Sequence, residues 1–155
     1  MLIRRDRAMV AVTIMLDIAF HAGRSATVSA GDLADRLGLA RRGMEPLLQA
    51  LSRAELLESV RGPRGGYRLG RARRDITLAD IVATAIAGNE PGEAEASAEG
   101  GPLGDLQARV VDPIWGELDA AARLSLERLT LEELLKRATA AGLQRPISEP
   151  ITFAI

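Results

Sequence analysis

A glycine-rich, arginine-bearing segment between two short apolar runs is the feature that most constrains the fold of this chain. The segment covers residues 61–67, and the apolar runs are Leu56–Val60 before it and Tyr67–Leu69 after it. Glycines let the chain turn sharply and approach another surface closely. The pattern therefore predicts a β-hairpin with arginines at its tip. Such a hairpin alone is an ordinary surface feature, so its interpretation depends on the preceding elements.

Two short helices joined by a glycine are predicted immediately before the hairpin. Ser29 and Asp32 form a capping box that opens the first helix, which runs through Arg36 and is broken at Gly38. The second helix is predicted over about residues 42–54. Its core-facing apolar positions are Met44, Leu47, Leu48 and Leu51. This order of helix, turn, helix and basic hairpin is typical of a winged helix, in which the hairpin is the wing.

Further helices are predicted on both sides of this unit. An apolar helix over residues 7–22 is expected at the centre of the core. Thr77 caps a helix that extends to about Ala87, and Thr130 caps a last helix that ends near Gly142.

An amphipathic pattern begins at Asp105, before that last helix. Asp112–Pro113 interrupts it, either as an N-cap with proline in the first helical position or as a kink. We interpret Trp115 as an anchor between the winged helix and this helix rather than as the wall of a ligand pocket.

Charge is distributed unevenly along the chain. Residues 1–80 carry 14 arginines against 9 acidic residues, a net charge of +5, whereas residues 81–155 carry a net charge of −6. A basic half suits contact with nucleic acid, and an acidic half suits contact with something else. The chain has no cysteine, which excludes disulfides, cysteine nucleophiles and cysteine-ligated iron–sulfur clusters.

Catalysis and membrane insertion are not expected. We find no nucleophile–base pair, phosphate-binding loop or metal-ligating set, so neither an enzyme nor a cofactor is predicted.

The basic N-terminus followed by apolar residues superficially resembles a signal peptide. Asp17 and His21 interrupt that apolar run, which is too short to span a bilayer. We therefore expect a cytoplasmic protein.

Several segments occur in the order typical of a known family. They are residues 11–19, the helix-turn-helix, residues 59–69, residues 76–82, Trp115 and Thr130–Leu131. Together they resemble the family of bacterial winged-helix transcription regulators that includes IscR, NsrR and CymR. The resemblance covers about residues 1–137. It implies a homodimer in which a long C-terminal helix crosses its partner and two winged helices read a palindromic promoter site.

The chain departs from the family pattern in two places. Many members place three cysteines in the loop that corresponds to residues 88–110, and this chain has none, so iron–sulfur or nitric-oxide sensing is not carried over. The second departure is Pro46 in the recognition helix. Because proline lacks a backbone N–H, we expect this helix to start later or to bend.

With this resemblance, the fold is predicted as mostly α with a small β-hairpin, in four parts. They are a winged helix-turn-helix DNA-binding domain at 1–87, an acidic flexible loop at 88–104, dimerisation helices at 105–142 and a C-terminal tail at 143–155.

Two groups of residues are predicted to contact double-stranded DNA. In the recognition helix they are Arg41, Arg42, Glu45, Gln49 and Arg53. In the wing they are Arg61, Gly62, Arg64, Gly65, Gly66, Tyr67 and Arg68. Arginines at the start of the recognition helix suit bidentate binding to guanine, Glu45 suits a cytosine amino group, and Gln49 suits adenine or a phosphate. The wing arginines suit the minor groove or its flanking phosphates.

We therefore expect a homodimeric DNA-binding regulator that acts as a repressor. Its signal would be a small-molecule effector bound between winged helix and dimer helix, a partner protein, or neither. The alternative is a winged-helix module for protein–protein interaction, with its basic face idle or bound to an acidic partner.

Overall fold

The computed structural model describes residues 5–87 and 105–144, which are mostly helical. The first part contains α1 (Arg5–His21), α2 (Ala30–Leu37), α3 (Arg41–Arg53), β1 (Leu57–Val60), β2 (Gly66–Leu69), a 3-10 turn (Arg73–Asp75) and α4 (Leu78–Ala87). The second part contains a π-helical turn (Gln107–Val111), α5 (Asp112–Arg128) and α6 (Leu131–Ala140). The predicted fold class is confirmed. The predicted loop at 88–104 and the tail from residue 145 lie outside the described residues.

The core is centred on α1, as its apolar sequence predicts. Ile14, Met15 and Ile18 are fully buried, and they belong to one cluster with apolar residues of α2, α3, both strands and α4. Leu131 and Leu135 of α6 lie in this same cluster. The C-terminal helix therefore packs onto the winged-helix core, and the predicted domain boundary at residue 87 stays a prediction.

Both ends of α2 are where the sequence predicts them. The Ser29 hydroxyl accepts the backbone N–H of Asp32 at 3.0 Å and donates to the Asp32 carboxylate at 2.8 Å. Gly38 ends the helix in the left-handed conformation, with φ of 63°, and its N–H binds the Ala34 carbonyl. Glycine adopts this conformation with no steric penalty, which explains the sharp stop before α3.

The recognition helix does not start after its proline. α3 begins at Arg41 and contains Pro46, so the expected later start is wrong. Proline removes one amide donor from the helix, and its ring lies on the exposed side of α3. Opposite it, the fully or nearly fully buried Met44, Leu47 and Leu48 attach α3 to the core, so packing holds the helix together.

The hairpin is antiparallel, with Leu57 opposite Leu69 and Val60 opposite Gly66. Its second strand is also paired on the other edge. The Val28 N–H donates to the Tyr67 carbonyl at 2.9 Å, and the Tyr67 N–H donates to the Val28 carbonyl at 2.8 Å. β2 is thus held on both sides, which fixes the wing relative to the start of α2.

Asp112 is not an N-cap, so the first of the two alternatives predicted for Asp112–Pro113 is wrong. The chain is already helical before it, and the Asp112 N–H donates to the Gln107 carbonyl, five residues back, across the π-helical turn. Such a turn is a known way to accommodate a local disruption within a helix. Because Pro113 has no N–H, this turn lets the helix continue through the proline.

Two capping threonines bring the starts of α4 and α6 together. Thr77 and Thr130 form an isolated antiparallel bridge. The Leu78 N–H donates to the Leu129 carbonyl at 2.8 Å, and the Leu131 N–H donates to the Ile76 carbonyl at 2.9 Å. This backbone pairing around Thr77 and Thr130, called the clasp below, determines where α5 ends against the core. Within residues 5–87 and 105–144, no helix has the length and apolar character needed to cross a membrane.

Candidate nucleic-acid interface

The predicted contact residues of α3 share its exposed side. Arg41, Arg42, Glu45, Gln49 and Arg53 are all exposed, whereas Met44, Leu47, Leu48 and Leu51 of the same helix are buried. Spacings of seven and four residues, about two turns and one turn, place Arg42, Gln49 and Arg53 along one line of the helix surface. The recognition helix therefore presents a continuous polar face, as its sequence predicts.

Two pairs on this face interact with each other. The Arg41 Nε lies 3.8 Å from Glu45 Oε1, and Arg53 Nη2 lies 3.5 Å from Gln49 Oε1. Both distances exceed those of strong hydrogen bonds, and the Arg41 and Glu45 side chains are more than half exposed. These weak pairs leave the side chains available to a ligand.

The wing tip is a tight turn tied to the loop before α2. The Gly65 N–H donates to the Gly62 carbonyl at 2.9 Å, and Gly62 has a φ of 112°, which side-chain-bearing residues rarely adopt. Thr27 Oγ1 donates to the Arg64 carbonyl at 2.8 Å. Arg61 and Arg64 are exposed. The tip therefore presents two guanidinium groups on a constrained backbone.

Gly65 and Gly66 have a structural role within the protein. A Cβ on Gly65 would lie 2.5 Å from the Val60 carbonyl oxygen, and one on Gly66 would lie 2.4 Å from the Val28 carbonyl oxygen. The close approach that the sequence predicts at these glycines is therefore an approach to the protein's own backbone. Their contact with DNA stays a prediction.

Arg68 lies below the tip and is held by a neighbour across the hairpin. Its Nε and Nη2 donate to the two carboxylate oxygens of Glu58 at 3.0 and 2.9 Å. This bidentate bond lowers the pKa of Glu58 and raises the pKa of Arg68. The supporting role predicted for Arg68 at the DNA is untested, and its geometry ties it first to the hairpin.

Arg24 is a basic residue near the wing that the sequence analysis did not select. It is exposed, and its charge contributes to the lowered pKa of Glu58. The adjacent Gly23 carbonyl accepts the Leu69 N–H at 2.8 Å, which brings the turn after α1 against β2. The location of Arg24 beside the wing follows from this hydrogen bond between distant segments. The sequence alone does not show it, because an arginine after a helix-ending glycine is an ordinary pattern.

The arginines that follow the hairpin interact inside the protein. Arg71 Nη2 donates to the Ala54 carbonyl at 2.9 Å, and Arg73 Nε lies 3.4 Å from Glu132 Oε1 of α6. In contrast, Arg42, Arg61 and Arg64 form no ion pair within the described residues. These three cations are therefore the strongest candidates for binding an external anion.

Trp115 does not anchor α5 to the winged helix. Its side chain is 41% exposed, and α5 has no buried residue along its described length. The expected anchor is therefore wrong within one protomer. Among residues 5–87 and 105–144, no group of three or more potential metal-ligating side chains is close enough to hold an ion.

Comparisons with known proteins agree with this geometry. The family model Rrf2, described as an iron-dependent transcriptional regulator, matches residues 5–137. The HTH-type transcriptional regulator IscR of Vibrio atlanticus is 34% identical over 128 residues, which cover 81% of this chain and 70% of that protein.

Two solved structures have the same fold. IscR of T. potens superposes with a TM-score of 0.69 and 28% identity, covering 90% of each chain. CymR, the global cysteine regulator of B. subtilis, has a TM-score of 0.66 and 26% identity, covering 88% of this chain and 98% of that one. The resemblance predicted from the sequence is confirmed: this chain belongs to the Rrf2 family of winged-helix transcriptional regulators.

Proposed function

We propose that this protein is a homodimeric repressor that reads a palindromic promoter site with α3 and the wing. The observation that carries this proposal is the exposure of Arg42, Arg61 and Arg64 on two elements whose backbones are fixed to one core. Guanidinium groups bind guanine edges bidentately and bind phosphates by charge-assisted hydrogen bonds. A recognition helix and a wing offer both kinds of contact from one rigid unit.

Dimerisation through α5 is supported by its unpartnered apolar surface. The helical segment made of α5 and the turn before it covers residues 106–128. Its exposed apolar side chains are Leu106, Val110, Val111, Ile114, Trp115, Leu118 and Leu124. In this segment only Asp119, Ala122 and Leu126 are half-buried, and the other residues are exposed. An exposed apolar patch of this kind marks an interaction surface. A second copy of the same helix would cover it, and two-fold symmetry would explain a palindromic operator.

The signal to which the regulator responds is proposed not to involve a cysteine-ligated cluster. The family description names iron, but this chain contains no cysteine, so it lacks the thiolates that hold such clusters. The residues present do not fit that group. We therefore propose a regulator governed by another kind of signal. That its relatives are named transcriptional regulators supports a cytoplasmic protein that is not an enzyme.

Fluorescence anisotropy over a salt series tests the proposal. The protein is titrated into its own upstream DNA and into a scrambled duplex of equal length and composition. We expect tighter binding to the upstream DNA, with affinity for both duplexes falling steeply as salt rises because arginines displace counterions from phosphates. Absence of binding to either duplex at low salt would contradict the proposal and favour the protein–protein interaction module.

A further inference from the structure

A cavity lies between α1, the end of α2 and the end of α6, away from the exposed face of α3. Its volume is about 270 Å³. Its apolar walls are Leu16, Phe20, Leu37, Ala138 and Leu143. A cavity of about 150 Å³ holds a benzene ring, and ordinary ligand sites begin at about 300 Å³. The size therefore suits one ring or a short branched chain.

A carboxylate lies at one side of this apolar cavity. Asp17 lines it with a side chain only 10% exposed, and it accepts hydrogen bonds from Arg36 Nε and Nη2 at 3.1 and 2.7 Å. His21 Nε2 lies 3.5 Å from Asp17 Oδ1, beyond the usual range of a hydrogen bond. Each carboxylate oxygen accepts two hydrogen bonds, so Asp17 retains acceptor capacity beside the cavity.

The charges around this carboxylate favour a cation. Asp17 holds Arg36 directly, and Asp32 also acts electrostatically on Arg36, so the Arg36 charge is shared between two carboxylates. An apolar ligand with a positive hydrogen-bond donor would bring a further cation to Asp17. This donor would also bind the Asp17 carboxylate oxygen that His21 does not reach.

We propose that this cavity is an effector site for a small, mainly apolar primary amine whose ammonium group donates to Asp17. Binding of the amine does not depend on the proposed function, but its effect on DNA affinity rests on that function. Arg36 and Leu37 belong to α2, the first helix of the helix-turn-helix, and Arg36 is the link from α2 to Asp17 on α1. An ammonium group at Asp17 shares the carboxylate with Arg36. Filling the cavity therefore changes how α2, and with it α3, is held against α1.

Ligand binding without DNA tests the site. Calorimetry with 2-phenylethylamine as the probe, and with 3-phenylpropionate as its anionic counterpart, is expected to show the amine binding at least about tenfold more tightly, as one charge-assisted hydrogen bond provides. Asp17→Asn should remove most of this preference. Equal binding of both probes, or no binding of the amine, would overturn the proposal.

A second variant tests the site without changing Asp17, because Asp17→Asn also alters the pair with Arg36. Thr13 lines the cavity from an exposed position, so Thr13→Phe should occupy it with little effect on folding and abolish amine binding. Met9→Phe, one turn earlier on α1 and also exposed, is the matched control and should leave binding unchanged. Amine binding that survives Thr13→Phe would place the ligand elsewhere and overturn the site.

Coupling is measured by anisotropy on the upstream DNA with and without saturating 2-phenylethylamine. We expect DNA affinity to change by at least about fivefold, the lower end of ordinary allosteric coupling, and the change to vanish in Arg36→Gln. Unchanged DNA affinity would overturn the effector role. If the protein binds no DNA, the effector role fails with the proposed function, whereas calorimetry still decides whether the amine site exists.

Discussion

At the scale of single residues, the arginines near α3 and the wing differ in what they already bind. Arg68 is held by both oxygens of Glu58. Arg42, Arg61 and Arg64 are exposed, with no ion pair among the described residues. A guanidinium that must first leave a carboxylate gains less from a phosphate. Arg42, Arg61 and Arg64 should therefore contribute more to DNA binding than Arg68.

Replacing these arginines should separate base recognition from backbone binding. Arg42→Ala is expected to reduce discrimination at one position of each half-site by about 1–3 kcal/mol. Arg61→Ala with Arg64→Ala should weaken binding to all duplexes and lower the salt slope by about one for each lost phosphate contact. Anisotropy on a panel of single-base variants, repeated over a salt series, measures both effects.

The control for these replacements is Arg123→Ala, which removes an exposed arginine from α5. It should leave base preference and salt slope unchanged. An unaltered base preference in Arg42→Ala would mean that α3 enters the groove in another register. An unaltered salt slope in the double variant would remove the wing from the interface.

Glycine replacements should change stability in opposite directions at two sites. Gly66→Ala is expected to lower the free energy of unfolding by about 1–3 kcal/mol, because its Cβ would lie 2.4 Å from the Val28 carbonyl oxygen. Gly43→Ala, in α3 where an added Cβ would meet nothing within 4 Å, should raise that free energy by up to about 1 kcal/mol. Urea unfolding of both variants measures the difference, and a Gly66→Ala variant as stable as wild type would rule out the close approach.

At the scale of elements, the hairpin is held by its own strand pairing and by the loop before α2. β2 pairs with β1 on one edge and with Val28 on the other, and Thr27 binds the Arg64 carbonyl at the tip. The Glu58–Arg68 pair adds a cross-strand ionic contact. Because backbone hydrogen bonds account for most of this attachment, the Glu58–Arg68 pair should modify the stability of the wing rather than determine its fold.

The ionic pair should give the hairpin a dependence on acid pH. The folded-state pKa of Glu58 is lowered chiefly by its hydrogen bond to Arg68. The stability from this pair is therefore fully present above the ordinary glutamate pKa and is lost as the pH falls through the lower, folded-state value. Titration of the Glu58 carboxyl carbon by NMR should show the lowered midpoint.

Two variants identify the cause of that midpoint. Arg68→Gln should return it towards the ordinary value. Arg24→Gln should shift it less, because the charge of Arg24 is the smallest of the contributions at Glu58. A midpoint that does not move in Arg68→Gln would show that another group holds the Glu58 carboxylate.

At the scale of the whole molecule, the described residues of one protomer leave apolar side chains of α5 exposed. Leu118 is 57% exposed and Ile114 is 49% exposed. The clasp between Thr77 and Thr130 holds the end of α5 against the core, so the rest of the helix extends from a fixed base. We expect this surface to be covered by the second copy in the proposed homodimer.

A charge in this surface should separate the protomers. Leu118→Glu is expected to convert a dimer into a monomer in sedimentation velocity, since an unpaired carboxylate is costly to bury in an apolar interface. Loss of the second half-site contact should then weaken operator binding by about 100-fold or more. Gly116→Glu adds the same charge about 160° around the helix, where the position is exposed and an added Cβ would meet nothing within 4 Å. It should leave the dimer intact, and a Leu118→Glu dimer would contradict the role of α5.

The sequence by itself determined the features that depend on neighbouring residues. Capping boxes at Ser29 and Thr77, the left-handed glycine after α2 and the hairpin at residues 61–67 are local, because their hydrogen bonds and backbone angles involve residues a few positions apart. The buried face of α3 follows from helical spacing in the same way. These signals were sufficient for the winged-helix fold and for the exposed side of the recognition helix.

The tertiary structure decided what depends on residues far apart in the chain. Pro46 lies within α3 because the core holds Met44 and Leu47 on the opposite face, which outweighs the local preference of proline. Arg68 binds Glu58, Arg36 binds Asp17, and Gly66 passes the Val28 backbone only because folding brings those partners together. Composition and spacing show that an arginine is present. Only the packed chain determines whether its charge is already satisfied, since electrostatic and steric contacts depend on distance in space.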